Sequence, residues 1–160
     1  MINSKLKEKY LSIYTEKSLS KETIKDIENS LEIVLPNDLI EISQYCDRFD
    51  NIGILDLFSF DKTADDWSIF EKTKFFRTSI NLSNEYLVLK EGDESFIVLE
   101  TQLNPNEQAQ VIWCSSTDAY NLAIKQPLID NPIIFSTFAD FFSYLLDQEE
   151  EQRRNEAAEK

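Results

Sequence analysis

The step that most constrains this chain is Leu35-Pro36, which falls between two stretches of helical periodicity. Proline lacks an N–H and disfavours the α region for the residue before it, so a helix arriving from the N-terminal side must stop there. The same residue is preorganised for the first position of a new helix. Upstream, Ser20 is a good N-cap, and Ile24, Ile27 and Leu31 recur at helical spacing while Lys25, Asp26 and Glu28 face water. Downstream, Asn37 and Asp38 favour a helix start, with Asp38 beside the positive dipole end. Leu39, Ile42 and Tyr45 or Cys46 form the buried stripe of that second helix. The apolar run 52–60 then reads as a strand. Two short helices, their angle fixed by a proline, are expected to lead into a sheet.

On either side of this unit the pattern is equally readable. Residues 1–19 predict a first helix with Leu6, Tyr10, Ile13 and Tyr14 on one side. Residues 61–64 form a turn in which Thr63, with Asp66 three positions on, caps a helix showing Trp67, Phe70 and Phe75. The β-rich runs 86–89 and 95–99 flank a polar, glycine-containing loop and read as a hairpin. A turn at 104–107 leads to a third strand at 110–114, giving an antiparallel meander. Asp118 can cap a single helical turn, and 133–135 is a brief strand or a lead into the last helix. Ser136 caps that helix, with Phe138, Phe141, Phe142 and Leu145 or Leu146 at helical spacing. The expectation is one α+β domain over 1–147, its mixed or mainly antiparallel sheet flanked by helices, followed at 148–160 by a charged helix end or tail.

At 160 residues and 42% apolar, the chain is long enough for one packed core. Its two glycines and four prolines leave most turns to Asn, Asp and Ser. It has no run of about 18 apolar residues, and the first ten lack a signal-peptide core, so a cytoplasmic location without membrane insertion is expected. Cys46 and Cys114 then read as buried thiols, a disulfide being the alternative. The absence of histidine excludes Ser-His-Asp, Cys-His and His-metal arrangements. Gly53 and Gly92 are isolated, so no glycine-rich phosphate loop exists. Asp65-Asp66 and Glu91, Asp93 and Glu94 lack the spacing of a calcium loop and read as solvated charges. No catalytic residue, metal or cofactor is therefore expected. Trp113 belongs to the core by its strand context, while Trp67, following two aspartates, reads as a possible binding anchor.

The net charge of −14 is uneven. Residues 1–40 hold six basic and seven acidic side chains, against ten and twenty-three in 41–160. Such a surface repels nucleic acids and anionic membranes and steers basic partners inward. Solubility alone is the bland alternative.

The order of elements resembles the SUKH superfamily, which includes the yeast Smi/Knr cell-wall regulators and many bacterial immunity proteins. The likeness rests on Leu35-Pro36-Asn37-Asp38-Leu39 after the capped helix, on the hairpin and Val111-Ile112-Trp113, and on the closing Thr137-Phe138-Ala139-Asp140-Phe141. It spans residues 20–147. One departure is the glycine after the second helix, displaced here to Gly53, with Phe49 preceding it. The resemblance implies a SUKH-like α+β fold and a non-enzymatic, protein-binding role. For a bacterial member that role is immunity: neutralising a cognate protein toxin, here a basic nuclease-type domain, in the cytoplasm. The alternative is a regulatory or scaffold module of the Smi/Knr type. The family shares no catalytic residues. The candidates for the partner face are Asp47, Asp50, Asp61, Asp65, Asp66 and Trp67, with Glu91, Asp93 and Glu94 as a second acidic rim.

Overall fold

In the computed structural model, which describes residues 2–101 and 109–159, the Leu35-Pro36 corner is closed by hydrogen bonds that the sequence only half announces. Ser20 caps α2 (Lys21–Leu31), its hydroxyl accepting the Thr23 N–H at 3.0 Å. Ile24, Ile27 and Leu31 are buried as expected. Glu28 does not stay in water: its carboxylate accepts the Leu35 N–H at 2.9 Å and pins the corner to the helix before it. Pro36 takes an extended conformation and serves as N-cap, one position earlier than expected, so α3 (Asn37–Ile42) starts at the next residue. Leu39 and Ile42 are fully buried, and Tyr45 and Cys46 are buried in the turn beyond the helix.

Asp38 does more than favour a helix start. One carboxylate oxygen accepts the Leu39 N–H at 2.9 Å and the other accepts the Ala139 N–H at 2.8 Å. It thus joins the start of α3 to the first turn of α6 (Phe138–Ala158). The α6 cap is Thr137 rather than Ser136, because its hydroxyl, not that of Ser136, stands three residues before the Asp140 N–H it accepts. Phe138, Phe141, Phe142, Leu145 and Leu146 are buried, and the helix continues past Asp147 with its last turns exposed. The first helix, α1 (Ile2–Leu11), is shorter than the expected 1–19, although Leu6 and Tyr10 are buried.

The strand expected at 52–60 is not there. A 3-10 turn at Phe49–Asn51 precedes it, and Gly53 and Asp56 both adopt positive φ, which an extended strand cannot contain. Its apolar residues are buried one by one, with Phe58 donating to the Leu89 carbonyl at 2.8 Å and Ser59 bridging Ser68. Likewise Thr63 does not cap the next helix. Asp61 caps a 3-10 stretch, Lys62–Trp67, and Ser68 caps α4 (Ile69–Ser79), burying Phe70 and Phe76 and leaving Phe75 outside.

The sheet is antiparallel throughout, in the order β1 (Tyr86–Gly92), β2 (Ser95–Glu100), β3 (Val111–Ser115), β4 (Ile133–Phe135). The hairpin turn is tighter than expected: Gly92 pairs with Ser95, leaving Asp93 and Glu94, both at positive φ, as a two-residue loop. The expected turn at 104–107 lies outside the described residues. Ser115, not Asp118, caps α5 (Ser116–Ala123). The outer edge of β1 is covered by Phe58 and by the Thr73 hydroxyl, which accepts the Val88 N–H at 3.0 Å. β4 is the other edge, with Ile133 and Ile134 half-exposed. α6 lies against β3 and β4 through Tyr144, Trp113, Phe135 and Phe141; Trp113 packs against the core yet stays part-buried. Beneath, Phe49 stacks within 4.6 Å of Phe60 and edges onto Phe138 and Phe142. The residue that departs from the SUKH pattern is thus a centre of the core. The fold is α+β, with a four-stranded sheet flanked by helices.

Two measurements test this packing. Gly53 sits at φ +68°, its N–H donating to the Tyr14 hydroxyl, and an added Cβ would lie 3.1 Å from the Leu145 carbonyl oxygen. Gly53→Ala should therefore lower unfolding free energy by about 1–3 kcal/mol in urea titrations. Asp118 is fully buried and accepts from Asn121, Ile129 and Asp130 at 2.8–2.9 Å. Burial works to raise its carboxyl, but these donors outweigh it and hold the group below its ordinary 3.8. Its contribution is present above that value and lost as pH falls through the lower folded one. Asp118→Asn should be less stable than wild type at neutral pH, with the gap closing as pH drops below 3.8.

Candidate functional site

Three irregular segments meet on one side of the molecule. The chain before α2 runs extended beside the end of α3, with the Lys17 N–H donating to the Tyr45 carbonyl at 3.0 Å and the Leu19 N–H to that of Ser43 at 2.7 Å. Facing it are the turn 47–50 and the stretch 56–67. Together they enclose an open groove of about 640 Å³. Its acidic lining is Asp47, Asp50, Asp56 and Asp61, and Trp67 shares the lining with them.

Four expected residues, Asp47, Asp50, Asp61 and Trp67, therefore line one groove. Asp65 and Asp66 are exposed on the same 3-10 stretch as Trp67 but do not line it. Asp65 adopts φ 52°, ψ −121°, an unusual conformation for an L-residue, at the kink that sets Trp67 outward. Glu91, Asp93 and Glu94 stand at the β1–β2 turn, away from this groove. Sequence reasoning missed Asp56 and Arg48. Asp56 was hidden inside an apparent strand, and only its left-handed φ of 53° turns it toward the groove.

The carboxylates are not equivalent. Asp50 holds Arg48 through two hydrogen bonds of 3.1 and 3.0 Å, and this pairing raises the guanidinium pKa. Asp47, itself part-buried, has the exposed Lys17 at 3.8 Å, a loose pair of little energetic weight. Asp61 accepts the Thr63 N–H at 2.9 Å, a bond that lowers its carboxyl below the ordinary range and keeps it ionised at neutral pH. Trp67 is 72% exposed, yet its backbone is fixed, its carbonyl accepting from Ser59 at 2.8 Å. An exposed indole on an anchored backbone, in a groove lined by carboxylates, can receive an apolar or a cationic group.

Among the described residues no group of three or more Asp, Glu or Cys is arranged to hold a metal ion. None of their helices is long and apolar enough to cross a membrane. Cys46 and Cys114 are both buried and free. Burial pushes each thiol up to about 12, against which the Tyr10 hydroxyl and the Arg48 N–H at Cys46 work only in part. Both should resist a thiol-specific disulfide reagent in the native protein at about pH 8, where an ordinary thiol is partly ionised, and both should react on unfolding.

No curated protein matches the chain. The family model of the SMI1 / KNR4 family (SUKH-1) matches residues 18–147, most of its length, from the groove's first wall to the middle of α6. The chain belongs to that family.

Proposed function

We propose that this SMI1/KNR4-family chain is an immunity protein that neutralises a cognate bacterial toxin, a basic nuclease-type domain, by protein–protein contact in the cytoplasm, without catalysis of its own. The observation that carries this reading is the groove in which Asp56 and Asp61 stand beside the exposed Trp67. Among the described residues no ion pair to either aspartate is formed; Arg48 in the same groove offsets the Asp61 charge only from a distance, which leaves both carboxylates open to an incoming cation. The net charge of −14 supports it twice over: it attracts a basic domain from a distance and repels the nucleic acid which that domain would otherwise hold. Asp47 and Asp50 contribute negative potential that their own partners partly offset. Asp65 and Asp66 extend it along the rim.

The Smi/Knr-type alternative, a regulatory or scaffold module, finds its support in the exposed polar end of α6, which buries no apolar face of its own. Growth of cells carrying the product of the neighbouring gene separates the two. Rescue by this chain supports immunity, whereas absence of rescue together with stable capture of host proteins supports the module.

In a rescuing pair, reversing Asp56 and Asp61 to lysine should slow association about ten-fold or more, while loss of the Asp61 cap lowers the thermal midpoint without unfolding the chain. Trp67→Ala should weaken binding about ten- to hundred-fold, mainly through faster dissociation. An association rate indifferent to salt and to these reversals would remove the groove from the interface.

A further inference from the structure

We propose that a second, smaller groove at the β1–β2 turn is an anchor pocket for a partner segment that places one large apolar side chain next to lysine or arginine. This deepens the protein-binding reading and rests on it. The groove is about 250 Å³ and is lined by Phe76 and Ile80 from the end of α4, Glu91 and Phe96 from the hairpin, and Ala119 and Tyr120 from α5. That volume is below the ~300–1,000 Å³ of small-molecule sites and of the order of one bulky side chain.

Its walls are set by the fold. Phe76 stands edge-on to Phe96 at 5.0 Å, and the Glu94 carbonyl accepts the Ser116 N–H at 3.1 Å, tying the hairpin turn to the start of α5. Tyr120 is 61% exposed at the mouth, an aromatic left in water although the chain buries most of its others. The charge around the mouth selects the occupant. Glu91 lines the groove, and Asp93 and Glu94 stand exposed in the turn beside it. Lys90, the adjoining cation of β1, alternates to the other face of the strand. An apolar floor with a negative lip fits an apolar residue flanked by cations. It disfavours an apolar residue flanked by acids, and hence a second copy of this acidic chain.

The test needs no toxin. The isotope-labelled full chain is titrated with the peptide Gly-Lys-Phe-Lys-Arg-Gly and with its counterpart carrying alanine for phenylalanine, following backbone amide shifts. The expected result is saturable shifts at Gly92, Phe96, Ala119 and Tyr120 with the phenylalanine peptide, and about ten-fold weaker binding of the alanine peptide. Tyr120→Glu should abolish that preference, and Glu91→Lys should weaken both peptides alike; both positions are exposed, and the thermal midpoint should stay unchanged. Equal binding of the two peptides, shifts clustered at Asp61 and Trp67 instead, or no shifts at all would each overturn the anchor pocket. None of those results touches rescue by the Asp56–Trp67 groove, and a failed rescue leaves the peptide result standing.

Discussion

The carboxylate of Asp38 receives two backbone N–H groups, one from the next residue and one from 101 residues further on, and much of the architecture depends on that junction. Each N–H belongs to the first turn of a helix, where no intrahelical acceptor exists. One anion thereby satisfies two helix starts and sets α6 beside α3. α6 carries Phe138, Phe141, Phe142 and Leu145 into the core, and its neighbours Phe49 and Tyr10 bring in the irregular segment and the first helix. The Leu35-Pro36 corner matters because it delivers Asp38 to this place. Glu28, reaching back to the Leu35 N–H, holds the corner from the other side.

The acidic surface has two different physical roles. Carboxylates such as Asp38, Glu28 and Asp118 are consumed by backbone donors and act as structural acceptors. Asp56 and the carboxylates at the hairpin turn retain their field outward, and the exposed Asp61 serves both ways, capping its 3-10 stretch while facing the groove. Net charge alone does not distinguish the two groups. Hydrogen-bond geometry does.

What the sequence made legible were the signals that act locally: the Ser20 cap, the proline corner, the apolar stripes of α2 and α6, and the hairpin. The shortage of glycine also showed through, since Asp56, Asp65, Asn81, Asp93 and Asn131 all hold positive φ. Where reading failed, a non-local partner had decided. Residues 52–60 have the composition of a strand, but Gly53 is drawn against Leu145 and only Phe58 reaches the sheet edge, so the run bends instead of pairing. The same bend brought Asp56 into the groove, and that is why alternation concealed it. Acidic type was visible for Asp47, Asp50 and Asp61; convergence on one groove was not, because it depends on how three irregular segments pack. The apolar floor beside Glu91 was equally hidden, since Phe76, Phe96 and Ala119 lie on three elements that only tertiary packing brings together.

The asymmetry of the sheet's two margins has a consequence for behaviour in a crowded solution. β1 is sealed by a hydroxyl and a backbone amide, whereas β4 ends in half-exposed Ile133 and Ile134 with only Pro132 as a local deterrent to further pairing. Long-range repulsion between anionic bodies opposes pairing of two molecules along that margin. That colloidal protection weakens as the medium approaches the isoelectric point near 4.3, or as added electrolyte shortens the Debye length. The negative field to which the proposed function assigns partner recruitment also serves the unguarded isoleucines as their shield.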